Sequence, residues 1–318
     1  MNTGLKITAF AAVLAATFGT AYGVRRAVHP VVAEAQPSER GSHDSAAHAT
    51  AGGAEAEEAQ APGGPHVSEG GYTLDLKTPS VAAGKASQLR FAVVDERAGR
   101  NVTVFRREHG KQLHLIVVSR DLTTYRHLHP VMAADGTWST PVRLPKAGGY
   151  RVFADFTPEA KNAGNLTLGA DLAVSGPSTP QPLPPHSTTA TVDGYQVALA
   201  GELSPGAGSE LKLHVAKAGK PVTDLEPYLG AYGHLVALRA GDLAYLHVHP
   251  NGEPGDGTTE PGPEISFTAT APSKGAYRLF LDFQHEGKVR TAAFTVHAGA
   301  PAAGRPEEKR EEPTGHTH

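Results

Sequence analysis

Apolar positions recur along this chain in short runs with a period of two, broken roughly every ten residues by Gly, Pro, Asp and Asn. The runs read "YTLDL", "QLRFAVV", "LHLIVV", "YRVFADF" and "LTLGADLAV" in one half, and "YQVAL", "ELKLHV", "HLVAL", "YRLFLDF" and "AAFTV" in the other. Alternation sends successive side chains to opposite faces of a strand, and many short strands at this spacing predict a sandwich. The expected fold is all-β: two tandem Ig-like or cupredoxin-like β-sandwich domains. Apart from the N-terminal apolar segment, no stretch sustains the 3.6-residue period of a helix.

The two halves are repeats of one another. "GRNVTVFRREHGKQLHLIVVSRDLTTYRHLHP" from Gly99 aligns without a gap on "GKPVTDLEPYLGAYGHLVALRAGDLAYLHVHP" from Gly219, at a constant offset of 120. "PKAGGYRVFADF" from Pro145 then matches "PSKGAYRLFLDF" from Pro272 at an offset of 127, which places seven extra residues within "NGEPGDGTTEPGP" of the second copy. A period this long denotes tandem globular modules and not a solenoid.

Composition shifts set the expected boundaries. Residues 1–29 hold eighteen nearly uncharged residues, Ile7 to Val24, behind a single Lys: a signal peptide or membrane anchor, and the chain's one link to a membrane. The rest is expected to be extracytoplasmic, anchored or secreted. Residues 30–70, rich in Ala, Gly, Pro, Ser and Glu, read as a disordered tether, and residues 298–318 as a disordered tail. Between them lie repeat 1 (71–175), a Pro-rich linker (176–187) and repeat 2 (188–297). A net charge of −3 offers no basic field for nucleic acid. With no Cys and only two Met, thiolate sites and thioether copper(I) sites are excluded, whereas 17 His supply imidazoles that suit zinc or copper(II).

Three His positions recur in both copies: His114, His127 and His129 in the first, His234, His247 and His249 in the second. "YRHLHP" from Tyr125 returns as "YLHVHP" from Tyr245, so two His lie two apart on a strand and share a face. With the hairpin turn centred near Asp121 and Leu122, paired residue numbers sum to about 243, which sets His114 opposite His129 and beside His127. Three neutral imidazoles then converge, with a fourth position free, as in three-histidine zinc sites. The same arithmetic serves the second copy. Asp155 and Asp282, in "FADF" and "FLDF", are the other shared candidates. Each needs a partner, whether a metal, the free N–H of a ligand His, or the Arg four residues earlier, Arg151 or Arg278. His109, His186, His214, His285 and His297 occur in one copy only, although His285 follows Asp282 closely enough to serve as an extra ligand. His43, His48, His66, His316 and His318 fall in the flanks and read as solvated.

The stretch "LHLIVVSRDLTTYRHLHP", followed by the "GYRVFADF" strand, resembles a module of exported bacterial proteins associated with heavy-metal handling, here in tandem. Such modules are broadly similar in fold to periplasmic copper-resistance sandwiches, which implies a copper or zinc ion as the bound group. The leading expectation is therefore a non-enzymatic extracytoplasmic protein that buffers or delivers copper(II) or zinc, with one three-histidine site per domain. Two alternatives stay open: a pair of envelope interaction modules that bind a partner protein without metal, and a zinc hydrolase with three histidine ligands. The hydrolase is disfavoured because no Glu placed as a general base recurs in both copies.

Overall fold

The computed structural model describes residues 63–161, 163–246 and 248–299, with His249 described by its backbone alone. The predicted N-terminal segment, most of the tether and all but the start of the tail lie outside these residues. Among the described residues every regular element is a β-strand, and no helix is long and apolar enough to cross a membrane.

Each repeat is an Ig-like β-sandwich. In the first, one sheet orders Ser68–Glu69, Tyr72–Leu76, Ala86–Asp95, Thr137–Arg143 and Val131–Met132. The facing sheet orders Ser80–Ala82, Leu166–Ser175, Gly148–Phe156, His114–Ser119 and Tyr125–Leu128. The second repeat follows the same plan. Thr189–Val192, Tyr195–Ala200, Gly208–Lys217, Glu264–Thr270 and Val248–Pro250 form one sheet; Tyr245–Leu246, Gly233–Arg239, Gly275–His285 and Lys288–Ala298 form the other. Inward residues of each sandwich, such as Leu115, Val117, Tyr150 and Val152 in the first and Leu235, Ala237, Tyr277 and Leu279 in the second, make its own core.

The sheets that carry His114, His127 and His234 are buried on both faces. Ile116, Val118, Leu122, Tyr125 and Phe153 from the first repeat form a third apolar cluster with Val236, Leu238, Leu243, Tyr245 and Phe280 from the second. The contacts are reciprocal. Tyr125 stacks on Phe280 with ring centroids 4.2 Å apart, and its counterpart Tyr245 meets Phe153, the counterpart of Phe280, at 5.5 Å. The repeats therefore pack as a pseudo-dimer, each offering the same patch to the other, as in an isologous interface. This two-sided burial explains why "LHLIVV" is nearly continuous in apolar character where a one-sided strand alternates.

The last eight residues of the expected tether, from Gly63, are described and take part in the fold. The Gly63 carbonyl accepts from the Tyr245 amide at 2.9 Å, while the Gly64 amide donates to Thr167 at 2.7 Å, so this segment joins a strand of each repeat. Arg151 donates to the carbonyls of Gly64 (2.8 Å) and Pro65 (2.7 Å). Gly64 has φ +86°, and a Cβ there would lie 2.4 Å from a ring carbon of Phe153, so only glycine fits. Open strand edges supply backbone partners that the tether's composition does not reveal.

Candidate metal centre

The hairpin has the register read from the sequence. Leu115 pairs with Leu128, Ile116 with His127 and Val118 with Tyr125, so paired numbers sum to 243. His114 leads its strand two residues before Ile116, on the same face, and the neighbouring strand sets Asp155 beside it. His114, His127 and His129 come together with one ligand nitrogen each, all within 4.8 Å of one another. The ring centroids stand 5.2 Å apart for His114 and His127, 5.4 Å for His114 and His129, and 4.8 Å for His127 and His129.

The face that bears these rings is the face that meets the second repeat. Asp282 therefore reaches across: its carboxylate accepts from Nδ1 of His127 at 2.9 Å and from the Tyr125 hydroxyl at 3.3 Å, while Thr291 donates to its other oxygen. The His127 and Asp282 side chains are 6% and 3% exposed, so this is a buried contact, in which pairing offsets a large desolvation cost. Of the partners open to these aspartates from sequence, Asp282 takes a His N–H. The Arg alternative does not hold. Arg278 donates to Thr295, and Arg151 is committed to Asp171 and to the carbonyls of Gly64, Pro65 and Gly169. Asp155 accepts from Asn165 at 2.7 Å and from the hydroxyl of Tyr245, mirroring the pairing of Asp282 with Tyr125. Burial and then the nearby aspartate push both tyrosine pKa values well above the usual phenol value, so these hydroxyls stay protonated donors.

Proton bookkeeping at the centre does not close with neutral rings. Nε2 of His114 faces the Glu108 carbonyl at 3.3 Å, Nδ1 of His114 faces Nε2 of His127 at 3.0 Å, and Nδ1 of His127 faces Asp282 at 2.9 Å. Three contacts need three hydrogens, and two neutral imidazoles carry two. With the outer nitrogens protonated toward their oxygen acceptors, two lone pairs point at each other across 3.0 Å. A third proton is disfavoured at His114, whose pKa is held down to about 2 by burial and then by the neighbouring His127. His129 is held at about 3, again by burial first and His127 second, and its Nε2 is buried without a hydrogen-bond partner among the described residues. Ligands on one tetrahedral ion with bonds near 2.05 Å have nitrogens about 3.3 Å apart. The donor set thus fits a borderline divalent ion. It does not suit calcium or magnesium, which prefer oxygen ligands.

From the second repeat, the structure brings His234 to this cluster, with ring centroids 6.1 Å from both His114 and His127. Its pKa is lowered to about 4 by burial and then by His127. His247 and the side chain of His249 lie outside the described residues; the His249 backbone pairs with Thr268 in the opposite sheet. The sequence reading gave no weight to His109, yet its ring lies 5.4 Å from His234 and 6.3 Å from His114. The available signal was its place five residues before His114 in a loop that the second copy repeats, with His109 at φ 50° and its counterpart Leu229 at φ 55°. Tyr228 closes the rim, 6.0 Å from His129 and 5.8 Å from His234. His285 lies elsewhere, hydrogen-bonded with Tyr195 and Asp224.

Residues 66–165 and 190–300 each match the family described as Domain of unknown function (DUF8832). The chain belongs to this family. One matched segment falls in each sandwich, the first stopping short of the strand Leu166–Ser175, and the family's description carries no activity. No curated protein matches. Solved structures similar to the chain include FdeC, a broadly conserved Escherichia coli adhesin, at 15% identity and TM-score 0.23, covering 72% of this chain and 64% of that one. A membrane-anchored protein from Corynebacterium diphtheriae is 8% identical at TM-score 0.21, over 73% of this chain and 59% of its own. The D0–D1 domain of intimin is 12% identical at TM-score 0.21, over 71% and 96%. The chain thus spans less than two thirds of the first two, and at such TM-scores these likenesses carry no functional argument.

Proposed function

We propose that the chain is an extracytoplasmic metal-binding protein that holds zinc or copper(II) at the interface of its two sandwiches and buffers or delivers the ion without catalysis. The observation that carries this reading is the 3.0 Å approach of Nδ1 of His114 to Nε2 of His127 while the outer nitrogen of each ring faces an oxygen acceptor. A cation between them resolves that arrangement. Asp282 then plays the part of a carboxylate that orients a ligand His and raises its basicity. A non-catalytic role is supported by the nearby carboxylates among the described residues, which are engaged: Asp282 behind His127, Asp155 bonded by Asn165, and Glu108 bonded by Thr157 and Asn165. The apolar segment of residues 1–29 supports an envelope location.

Zinc and copper(II) titrations of the full chain at pH 7.5 test the reading, with His114→Ala as the control. Binding in the wild type that is lost in the variant, with the fold retained, supports it. Wild-type protein that purifies without metal and takes up neither ion would sink it and favour the metal-free pair of interaction modules.

A further inference from the structure

Resting on that metal-binding reading, we infer that His234 of the second repeat is the fourth nitrogen ligand, so that the ion is closed in by four imidazoles and held across the interface. His234 stands in its repeat where His114 stands in the first. Both lie at the start of the strand before the hairpin and pair in register with the aspartate of the neighbouring strand, His114 with Asp155 and His234 with Asp282. Both aim Nε2 at the carbonyl six residues earlier, Glu108 at 3.3 Å and Tyr228 at 2.9 Å. With its N–H donated there, His234 keeps its lone pair on Nδ1, the nitrogen that His114 turns to the centre. No described residue hydrogen-bonds that Nδ1.

Distances decide whether His234 can join. Four imidazoles on one tetrahedral ion place their ring centroids about 5.3 Å apart, given bonds near 2.05 Å. The first three rings already stand at 5.2, 5.4 and 4.8 Å. His234 lies at 6.1 Å from both His114 and His127, an excess below about 1 Å, and stands outside the three whose nitrogens already lie within 4.8 Å of one another, so a change of its side-chain rotamer has to carry it in toward His129. A site so completed is closed, the form that structural metals take, whereas catalytic sites keep an open position. The ion would then staple the first sandwich to the second, through His234 directly and through Asp282 behind His127.

The test uses the full chain loaded with zinc, and with cobalt(II) as a spectroscopic probe. Zinc X-ray absorption should count four imidazoles in the wild type. His234→Ala and His234→Gln should each show three imidazoles plus an oxygen, a weaker cobalt(II) ligand-field band, and zinc affinity lower by at least about tenfold, the scale seen when even an outer partner is lost. Should both variants fail to fold, the wild-type count still decides. Three imidazoles and an oxygen in the wild type would overturn the inference, as would unchanged affinity in folded variants. Two zinc ions per wild-type chain, with one lost on His234 substitution, would overturn it too by assigning His234 to a separate ion. A wild type that binds no zinc defeats the metal-binding reading itself, which the His114→Ala comparison tells apart from failure of the fourth ligand alone.

Discussion

Acidification of the metal-free chain should remove a large part of its stability before its carboxylates begin to protonate. The groups responsible are the buried rings of His114 and His234, with pKa values held at about 2 and about 4 against an ordinary value of 6.5. Both are lowered in the folded state, so between pH 6.5 and the folded values the unfolded chain binds more protons, and stability falls as pH falls. At about pH 5 a His with a pKa of about 6.5 is almost fully protonated when unfolded and almost neutral at these two sites. The loss is RT ln of roughly 30, or about 2 kcal/mol per ring and about 4 kcal/mol for the pair. His129 adds less, because it is more open to solvent. Around these rings the other titratable and charged groups among the described residues include His109, His127, Lys111, Tyr228, Glu108, Asp155 and Asp282. Urea denaturation at pH 7.5, 6.5, 5.75 and 5 reads the effect, and the midpoint should drop by roughly 1–2 M at m values of about 2–3 kcal/mol/M. His114→Gln, which cannot titrate, should recover about half of that fall. A midpoint flat from pH 7.5 to 5, or a His114→Gln variant with the wild-type slope, would refute the placement of neutral buried rings at the interface.

Two further outcomes follow from the same contacts. Asp282→Asn keeps an acceptor for the His127 N–H but removes the charge, so zinc affinity should fall about 10- to 100-fold while the fold survives, as measured by competition with a chromophoric chelator. Phe280→Ala removes the ring stacked 4.2 Å from Tyr125 and opens the third apolar cluster, at a cost of about 3–5 kcal/mol in urea denaturation. Phe153→Ala should cost a similar amount, because it occupies the reciprocal position.

Local rules carried the hairpin, while the interface lay beyond them. Strand period two, the turn "SRDLTT" and one register sum were enough to bring His114, His127 and His129 to one face, because neighbouring strands in a hairpin are coupled through a single turn. What period two does not say is where that face points. The contact of His127 with Asp282 joins residues 155 apart in different repeats, and no local pattern reports it. The unbroken apolar run "LIVV" was a signal of two-sided burial, but it is equally the signature of a central strand under a loop. His109 escaped because it sits in a loop, where position follows from what the loop packs on and not from a period.

The interface in turn explains a feature of the sequence that strand patterns leave unaccounted for: why Tyr and Asp recur at matched positions in two copies that otherwise differ so widely. Tyr125 of the first copy meets Asp282 of the second, and Tyr245 of the second meets Asp155 of the first. In a reciprocal interface each residue type is used twice, once in each direction. Replacing the Tyr of one copy takes one donor from a carboxylate of the other, leaving Asp282 with His127 and Thr291 and Asp155 with Asn165, and each lost donor at such a site carries a cost. The two copies are therefore constrained through each other's side chains, and His234, predicted for a separate second site, converges with the first site's histidines on one interface.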